Sequence, residues 1–388
     1  MTWTDATLGD LCAFRGGQAF AVELQGESSG DIPFIKVSDL DLPGNETHIQ
    51  SANNWVSCEL ADERRFKPHA GGSVVFAKIG EAIKRERVRS LTRPTLIDNN
   101  MMSAAPKPNV DRHFLRYLFE YTPFSENHGG TSLPYLRASD LAQIPTKVPT
   151  FSEQQRIAGV LGAFDDLIET NRNLARDCEE MLFASVRALA DGAPSVAFGS
   201  IAKRVNERVL PSNIAEDDTY LGLEHFGTEG VGLNGRGTAS GVTSQSQLFD
   251  RGDVLYGKLR PYFQKVARPG FSGVCSGEIW VLRAVDDYPQ AALHAVVHSK
   301  RFSETATAGS GGTKMPRADW KHMEAFHVPD VRSTFTRDMS EALESLWGTG
   351  TASELRDEAD GLTRQRDALL PLLMSGKVRV SEVEGSLP

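Results

Sequence analysis

Laid against itself at an offset of about 180 residues, the sequence repeats, and the duplication limits the folds open to it more than any other feature. Thr7-Leu8-Gly9-Asp10-Leu11 has a counterpart in Ala197-Phe198-Gly199-Ser200-Ile201, each an apolar-Gly-polar-apolar step suited to entry into a small domain. Gly72-Ser73-Val74-Val75-Phe76-Ala77-Lys78-Ile79 matches Gly252-Asp253-Val254-Leu255-Tyr256-Gly257-Lys258-Leu259. Both read as a turn, an apolar strand and a lysine at its end. Gly129-Gly130-Thr131-Ser132-Leu133-Pro134 then matches Gly311-Gly312-Thr313-Lys314-Met315-Pro316, a flexible polar loop closed by an apolar-Pro step. Three pairs in the same order describe one module made twice, and 388 residues leave room for two or three domains.

Each module ends in a segment where Gly and Pro become scarce and apolar residues take helical spacing. In the first, Ser152 with Gln155 fits a capping box. The stripe Ile157, Val160, Phe164, Leu167, Asn171, Leu174, Cys178, Met181 alternates steps of three and four, which is a heptad seam. Asn171 is either a seam amide that fixes register or a surface residue at a fraying seam. A continuous helix from Ser152 to Leu189 would measure about 57 Å at 1.5 Å per residue, so it reads as a spacer. The second segment runs from Arg337 to Ser375 with Leu355, Ala359, Leu362, Arg366, Leu369 and Leu373 at similar spacing. Gly348-Thr349-Gly350 should break it, and Gly376 supplies its C-terminal stop. Two such stripes most simply bury one another, antiparallel if the modules are related by a pseudo-twofold.

Between the helices, short apolar runs at Ile32 to Val37, Val74 to Ile79, Tyr220 to Leu223, Val254 to Leu259 and Ile279 to Leu282 are separated by Gly and Pro turns. With short helices expected at His113 to Tyr121 and Ala291 to Phe302, this predicts mixed α/β (α+β) modules with mainly antiparallel strands. Cys12, Cys58, Cys178 and Cys275 form no Cys-x-x-Cys pair, which excludes a disulfide scaffold or a spaced zinc site and predicts reduced thiols. With no leader-like N-terminus and no apolar run of about 18 residues, the expected location is cytoplasmic.

No constellation carries chemistry. Gly230-Val231-Gly232-Leu233-Asn234-Gly235 spells G-x-G-x-x-G, but more Gly, Thr and Ser follow where a dinucleotide site needs a helix. Gly309 to Lys314 lacks the Gly-Lys-Ser/Thr step of a phosphate loop, and Pro316 interrupts the expected helix. His322 and His327 lack i, i+4 spacing, and Pro329-Asp330 has no following Glu-x-Lys, so neither a metal nor a cofactor is expected in this chain. Charge is more informative. The formal net charge of −9 opposes phosphate binding, yet Lys78 to Arg93 and Lys258 to Arg268 each carry +4 at matched positions. Either run alone is usually a solvated face; paired, they suit an extended anion, and duplex DNA fits. Lys78, Lys84, Arg85, Lys258 and Arg260 would neutralise phosphates, and loop residues Thr131, Ser132, Thr313 and Lys314 would read base edges. Tyr262 would pack on sugar or base, or belong, with Phe263, to the core.

Phe151-Ser152-Glu153-Gln154-Gln155-Arg156-Ile157-Ala158, followed by Phe164-Asp165-Asp166-Leu167-Ile168-Glu169-Thr170-Asn171, resembles the central conserved helix of type I restriction-modification specificity subunits. Phe249 to Tyr262 resembles that family's second target-recognition domain, and Leu369 to Val378 its C-terminal end. The resemblance implies a target-recognition domain at 1–150, a conserved spacer helix at 151–190, a second target-recognition domain at 191–332 and a C-terminal conserved helix and tail at 333–388. It further implies that each recognition domain reads half of a bipartite, asymmetric double-stranded DNA site. The two long helices would set the spacing and dock two modification (methyltransferase) subunits through Gln154, Gln155, Ile157, Val160, Phe164, Leu167, Asn171, Leu355, Leu362 and Leu369. The chain itself would be non-catalytic. S-adenosylmethionine would bind the modification subunits, ATP and Mg the restriction subunits, and methylation would fall on adenine. One departure stands out: Thr334-Phe335-Thr336-Arg337-Asp338 opens the second helix without a Glu-Gln-Gln step, so symmetric docking is less secure. The competing expectation is a structural adaptor that binds no DNA and holds two protein partners apart, distinguishable by its indifference to salt.

Overall fold

A computed structural model describes residues 3–129, 134–227, 232–285, 287–312, 314–347 and 352–380. The chain divides into two compact units: Met1–Glu169 together with Gly361–Pro388, and Thr170–Asp360. Each is mixed α/β. In the first unit, strands β1 (Cys12–Gly16), β2 (His48–Ile49), β3 (Val74–Ala77), β4 (Arg89–Leu91) and β5 (Met101–Pro106) form a sheet in the order β1-β5-β3-β4-β2. In the second, β6 (Ala202–Val205), β7 (Val254–Gly257), β8 (Val266–Ala267) and β9 (Ile279–Ala284) run β6-β9-β7-β8.

The registers repeat with the sequence. Phe76 of β3 faces Met102 and Val74 faces Ala104, while Tyr256 of β7 faces Trp280 and Val254 faces Leu282. Both central strands are apolar without interruption because both of their faces are buried. Strand alternation sends Val74 and Phe76 to one core and Val75 to another, just as Val254 and Tyr256 part from Leu255. Entry is also duplicated: the Leu8 N–H donates to Ile144 O at 3.0 Å, and the Phe198 N–H to Phe326 O at 2.7 Å. At Gly9 a Cβ would stand 2.8 Å from the Ala142 carbonyl oxygen, so the first entry step requires glycine.

Helix α1 (Arg112–Tyr121) covers the first sheet. The single helix expected near Ala291 to Phe302 is two, α3 (Gln290–His298) and α4 (Lys300–Ala308), because Ser299 ends one and caps the Phe302 N–H of the next. Helix α2 (Phe151–Leu189) runs 39 residues without a break. It begins one residue before the expected cap: Thr150 O accepts from both the Glu153 and Gln154 N–H groups, leaving Ser152 inside the first turn. Helices α5 (Arg337–Trp347) and α6 (Ala352–Met374) flank the expected break at Gly348–Gly350, which lies outside the described residues. Gly376, at φ +70°, ends α6 as its sequence position suggests, and a Cβ there would stand 2.6 Å from the Trp3 indole nitrogen.

The buried face of α2 differs in phase from the expected seam. Leu161, Asp165, Ile168, Ala175, Leu182 and Val186 are buried, whereas Leu167, Leu174 and Met181 are 52%, 47% and 51% exposed. Part of the buried face is ionic, so an apolar pattern could not mark it. In the first unit Asp165 accepts from the Tyr117 hydroxyl at 2.6 Å and from Arg116, and forms an ion pair with Arg366, whose Nε lies 3.2 Å away. Glu120 pairs with both arginines, and Arg116 Cζ lies 4.0 Å over the Tyr117 ring. In the second unit Glu179 receives Arg356 on both oxygens at 2.5 and 2.6 Å. Numbers rise along α2 as they fall along α6, so the two helices pair antiparallel.

One buried group links the first unit to pH. The His69 Nδ1 accepts from the Arg15 Nε at 3.2 Å and sits 2.6 Å from Ser103 Oγ. Arginine can only donate, so this nitrogen stays unprotonated. Burial and the neighbouring Arg15 charge push the imidazole from about 6.5 down to about 4. Between those values the unfolded chain binds a proton that the folded chain refuses, so acid favours unfolding. The urea midpoint is therefore expected to fall as pH drops from 6.5 toward 4, with His69→Gln removing part of that slope. An unchanged slope would mean that His69 already shares a proton in the fold.

Candidate nucleic-acid interface

The duplicated strand end is fastened in the same way in both units. In the first, the Lys78 N–H donates to Asn100 O at 2.8 Å and its carbonyl accepts from the Leu136 N–H at 2.9 Å, while the Gly80 N–H reaches Pro134 O at 2.8 Å. Gly129 and Tyr135 exchange two bonds of 2.9 and 3.0 Å. In the second, Lys258 donates to Glu278 O at 3.0 Å and accepts from Ala318 at 2.9 Å, Arg260 reaches Pro316 O at 2.7 Å, and Gly311 exchanges bonds of 3.1 and 3.0 Å with Arg317. The matched strand ends and the described flanks of the matched loops thus share a backbone scaffold. Its side chains differ: Gly80, Asn100 and Tyr135 in one unit, Arg260, Glu278 and Arg317 in the other.

Arg260 marks the sharpest of these differences. It adopts φ +52°, where its counterpart Gly80 has φ +81°, and its buried Nε has no hydrogen-bond partner among the described residues. A non-glycine residue held in the left-handed region costs roughly 1 kcal/mol or more, a strain that clusters at functional sites. Beside it, Tyr262 and Phe263 are exposed with ring centroids 4.7 Å apart, so neither belongs to the core. Lys314 is exposed. Thr131, Ser132 and Thr313 lie outside the described residues.

The basic runs are only partly turned outward. Lys84 is exposed and paired with Glu81 at 2.8 Å, and exposed Arg85 lies 3.8 Å from Asp41, to which Arg87 also binds. Burial lowers Arg89 to about 10. In the second run Lys265 donates to Leu223 O at 2.6 Å, and Arg268 is buried against Glu344 at 2.6 Å beneath the Trp347 ring. Half-buried Lys78 has its Nζ beside Gly16. Lys258 is half-buried. Burial lowers its pKa, Glu278 opposes that, and Arg204, Arg317 and Arg208 add to the lowering. Arg204 and Arg208 lie on successive strands in a short mixed-charge stretch with Lys203 and Glu207, which the longer basic runs left unremarked.

The helix residues fall into two groups. Gln154 is buried and spent inside the first unit, accepting from the Asp111 N–H at 2.9 Å and donating to Pro149 O at 3.1 Å. Ile157 is buried, and so is Asn171, whose amide nitrogen finds no partner among the described residues. Val160, Phe164, Leu355, Leu362 and Leu369 are half-buried, and Gln155 and Leu167 are exposed. No group of three or more His, Cys, Asp or Glu among the described residues is placed to hold a metal. No helix among them is long and apolar enough to cross a membrane.

Residues 1–177 match the family model of the type I restriction modification DNA specificity domain. The type I restriction enzyme MjaIX specificity subunit of Methanocaldococcus jannaschii is 27% identical over 177 residues, covering 44% of this chain and 39% of that protein. The chain thus aligns with about two-fifths of that relative's length. The type I restriction enzyme EcoDI specificity subunit of Escherichia coli is 23% identical over 369 residues, 84% of this chain and 77% of the relative. In fold, the chain is similar to the crystal structure of a type I restriction-modification system S subunit from M. genitalium, with a TM-score of 0.57 at 16% identity over 96% of both chains.

Proposed function

We propose that this chain, whose residues 1–177 match the family model of the type I restriction modification DNA specificity domain, is the sequence-specificity subunit of a type I restriction-modification complex. Each unit reads one half of a bipartite, asymmetric site on double-stranded DNA. The observation that carries this reading is the strand-end scaffold described above, which two units build with the same hydrogen bonds and furnish with different side chains. One backbone made twice presents two comparable surfaces to a duplex; unlike side chains make the two half-sites unlike.

The long helices set the spacing between half-sites and dock two modification subunits. Support comes from Leu167, Leu174 and Met181, exposed at seven-residue intervals along one side of α2, a stripe suited to a partner helix. The chain itself is non-catalytic: S-adenosylmethionine belongs to the modification subunits, and ATP and Mg to the restriction subunits.

Co-expression with the cognate modification subunit, followed by sequencing of adenine methylation in the host DNA, tests the proposal. A split motif with two defined halves is the expected result. A stable complex that leaves no methylated motif would overturn DNA reading and favour an adaptor that only holds two proteins apart.

A further inference from the structure

The second unit contains a cleft of about 110 Å³ lined by Arg204, Asn206, Arg208, Gln245, Gln247 and Lys258, with Trp280 at its wall. Arg204 and Arg208 are exposed, and among the described residues neither they nor Lys258 has an ion-pair partner. The nearby carboxylate is already occupied: Glu278 receives Arg317 through Nε at 3.0 Å and through Nη2 at 3.0 Å. Three cations therefore converge on one opening without the acids that neutralise Lys84 and Arg85 in the first unit. Arg208 Nε donates to Asn206 Oδ1 at 3.2 Å, Arg204 Cζ lies 5.6 Å from the Trp320 ring centroid, and beside them stand the exposed amide of Gln245 and the buried amide of Gln247, whose Oε1 has no hydrogen-bond partner among the described residues.

Surface arginines and lysines usually settle against carboxylates or water; a cluster without carboxylate partners around a concave polar opening suits an anion that arrives from outside. The matched place in the first unit is apolar. Counted from the strand end that pairs with Pro106, Phe14 holds the place that Arg204 holds on the strand end pairing with Ala284, and Phe14 turns its ring toward Phe119.

We propose that this cleft is where the second unit grips its half-site, Arg204 and Arg208 binding backbone phosphates with Lys258 while the Gln245 amide meets a base edge. The assignment rests on the DNA-reading function proposed above and names residues that carry it. Arginine forks match phosphate oxygens in two places at once, and a glutamine amide offers the donor and acceptor that an adenine edge requires.

The test uses the full chain in complex with its modification subunits. Affinity for a duplex carrying its methylated motif, and for a scrambled duplex, is measured across a range of salt concentrations. Arg204→Ala and Arg208→Ala are each expected to weaken binding to both duplexes and to reduce the slope of log K against log salt by about 0.9. Arg204→Lys and Arg208→Lys should restore the slope, since they keep the charge. Gln245→Ala should leave the slope alone and relax methylation at one base pair of one half-site. If the complex binds DNA while both alanine variants keep its affinity and slope, the cleft is not the grip and the function stands. If the unaltered complex binds neither duplex, the function itself fails and the cleft assignment falls with it.

Discussion

Replacing Asp165 by alanine is expected to destabilise the first unit by roughly 3–5 kcal/mol, the cost of breaking a buried ionic network by removing one member. Asp165 is the junction of three elements: it accepts from the Tyr117 hydroxyl and Arg116 of α1 and pairs by charge with Arg366 of α6, while itself belonging to α2. The Arg116 side chain is only 3% exposed, so without Asp165 its charge has Glu120 alone and almost no water. Such a loss is not a measure of what the network adds. Replacing Arg116, Asp165, Glu120 and Arg366 together by apolar residues of similar volume is expected to come close to neutral, because the desolvation of four charges disappears with their attraction. Urea denaturation of the single and quadruple variants separates the two effects. A loss below about 1 kcal/mol for Asp165→Ala would place the cluster among solvent-screened surface pairs. What the network contributes instead is choice of register. A one-residue slide of α6 along α2 would bury these charges unpaired, a penalty no apolar seam imposes.

The second large effect is expected from Trp280→Ala, at roughly 3–5 kcal/mol. Trp280 is 2% exposed, stacks on Tyr256 with centroids 5.8 Å apart, and meets Trp320 edge-on at 5.4 Å. Its removal leaves an indole-sized void beneath the central strand, in an interior that cannot collapse without moving β7. Trp280→Phe keeps most of the contact area and should recover more than half of the loss. Because Trp280 also walls the cleft at Arg204 and Arg208, the alanine variant should weaken DNA binding even at temperatures where it remains folded. Retained stability in thermal denaturation would show that neighbouring side chains refill the space.

These residues also show what could be read from the sequence alone. The duplicated strand was legible because an uninterrupted apolar run between a Gly turn and a lysine has few other uses, and the two central strands are found in equivalent places. The long helices were legible in existence and nearly in extent. The face of α2 was not. Asp165 and Ile168 lie on its buried side while Leu167 and Leu174 lie outside, so hydrophobic spacing identified a stripe and, Ile157 and Asn171 apart, displaced it by about one residue. The electrostatic surface was half legible. Runs of charge drew attention to Lys78 through Arg93 and Lys258 through Arg268, yet Arg89 and Arg268 from those runs serve the interior. Arg204 and Arg208, set with Lys203 and Glu207 in a short stretch of mixed charge, formed no long basic run. Only the pairing of strands distant in sequence brings them to Lys258.

The division of the chain into units has a consequence for the order in which the protein is made. The first unit takes residues from both ends of the chain, Met1–Glu169 and Gly361–Pro388, and the core that holds Leu8 and Phe114 also holds Leu370, Leu373 and Met374. Synthesis runs from one end only. All residues of the second unit therefore leave the ribosome before the first acquires the helix that closes its core. The unit begun first is finished last, and until then it carries an uncovered apolar face that translation stalled near residue 360 would leave open.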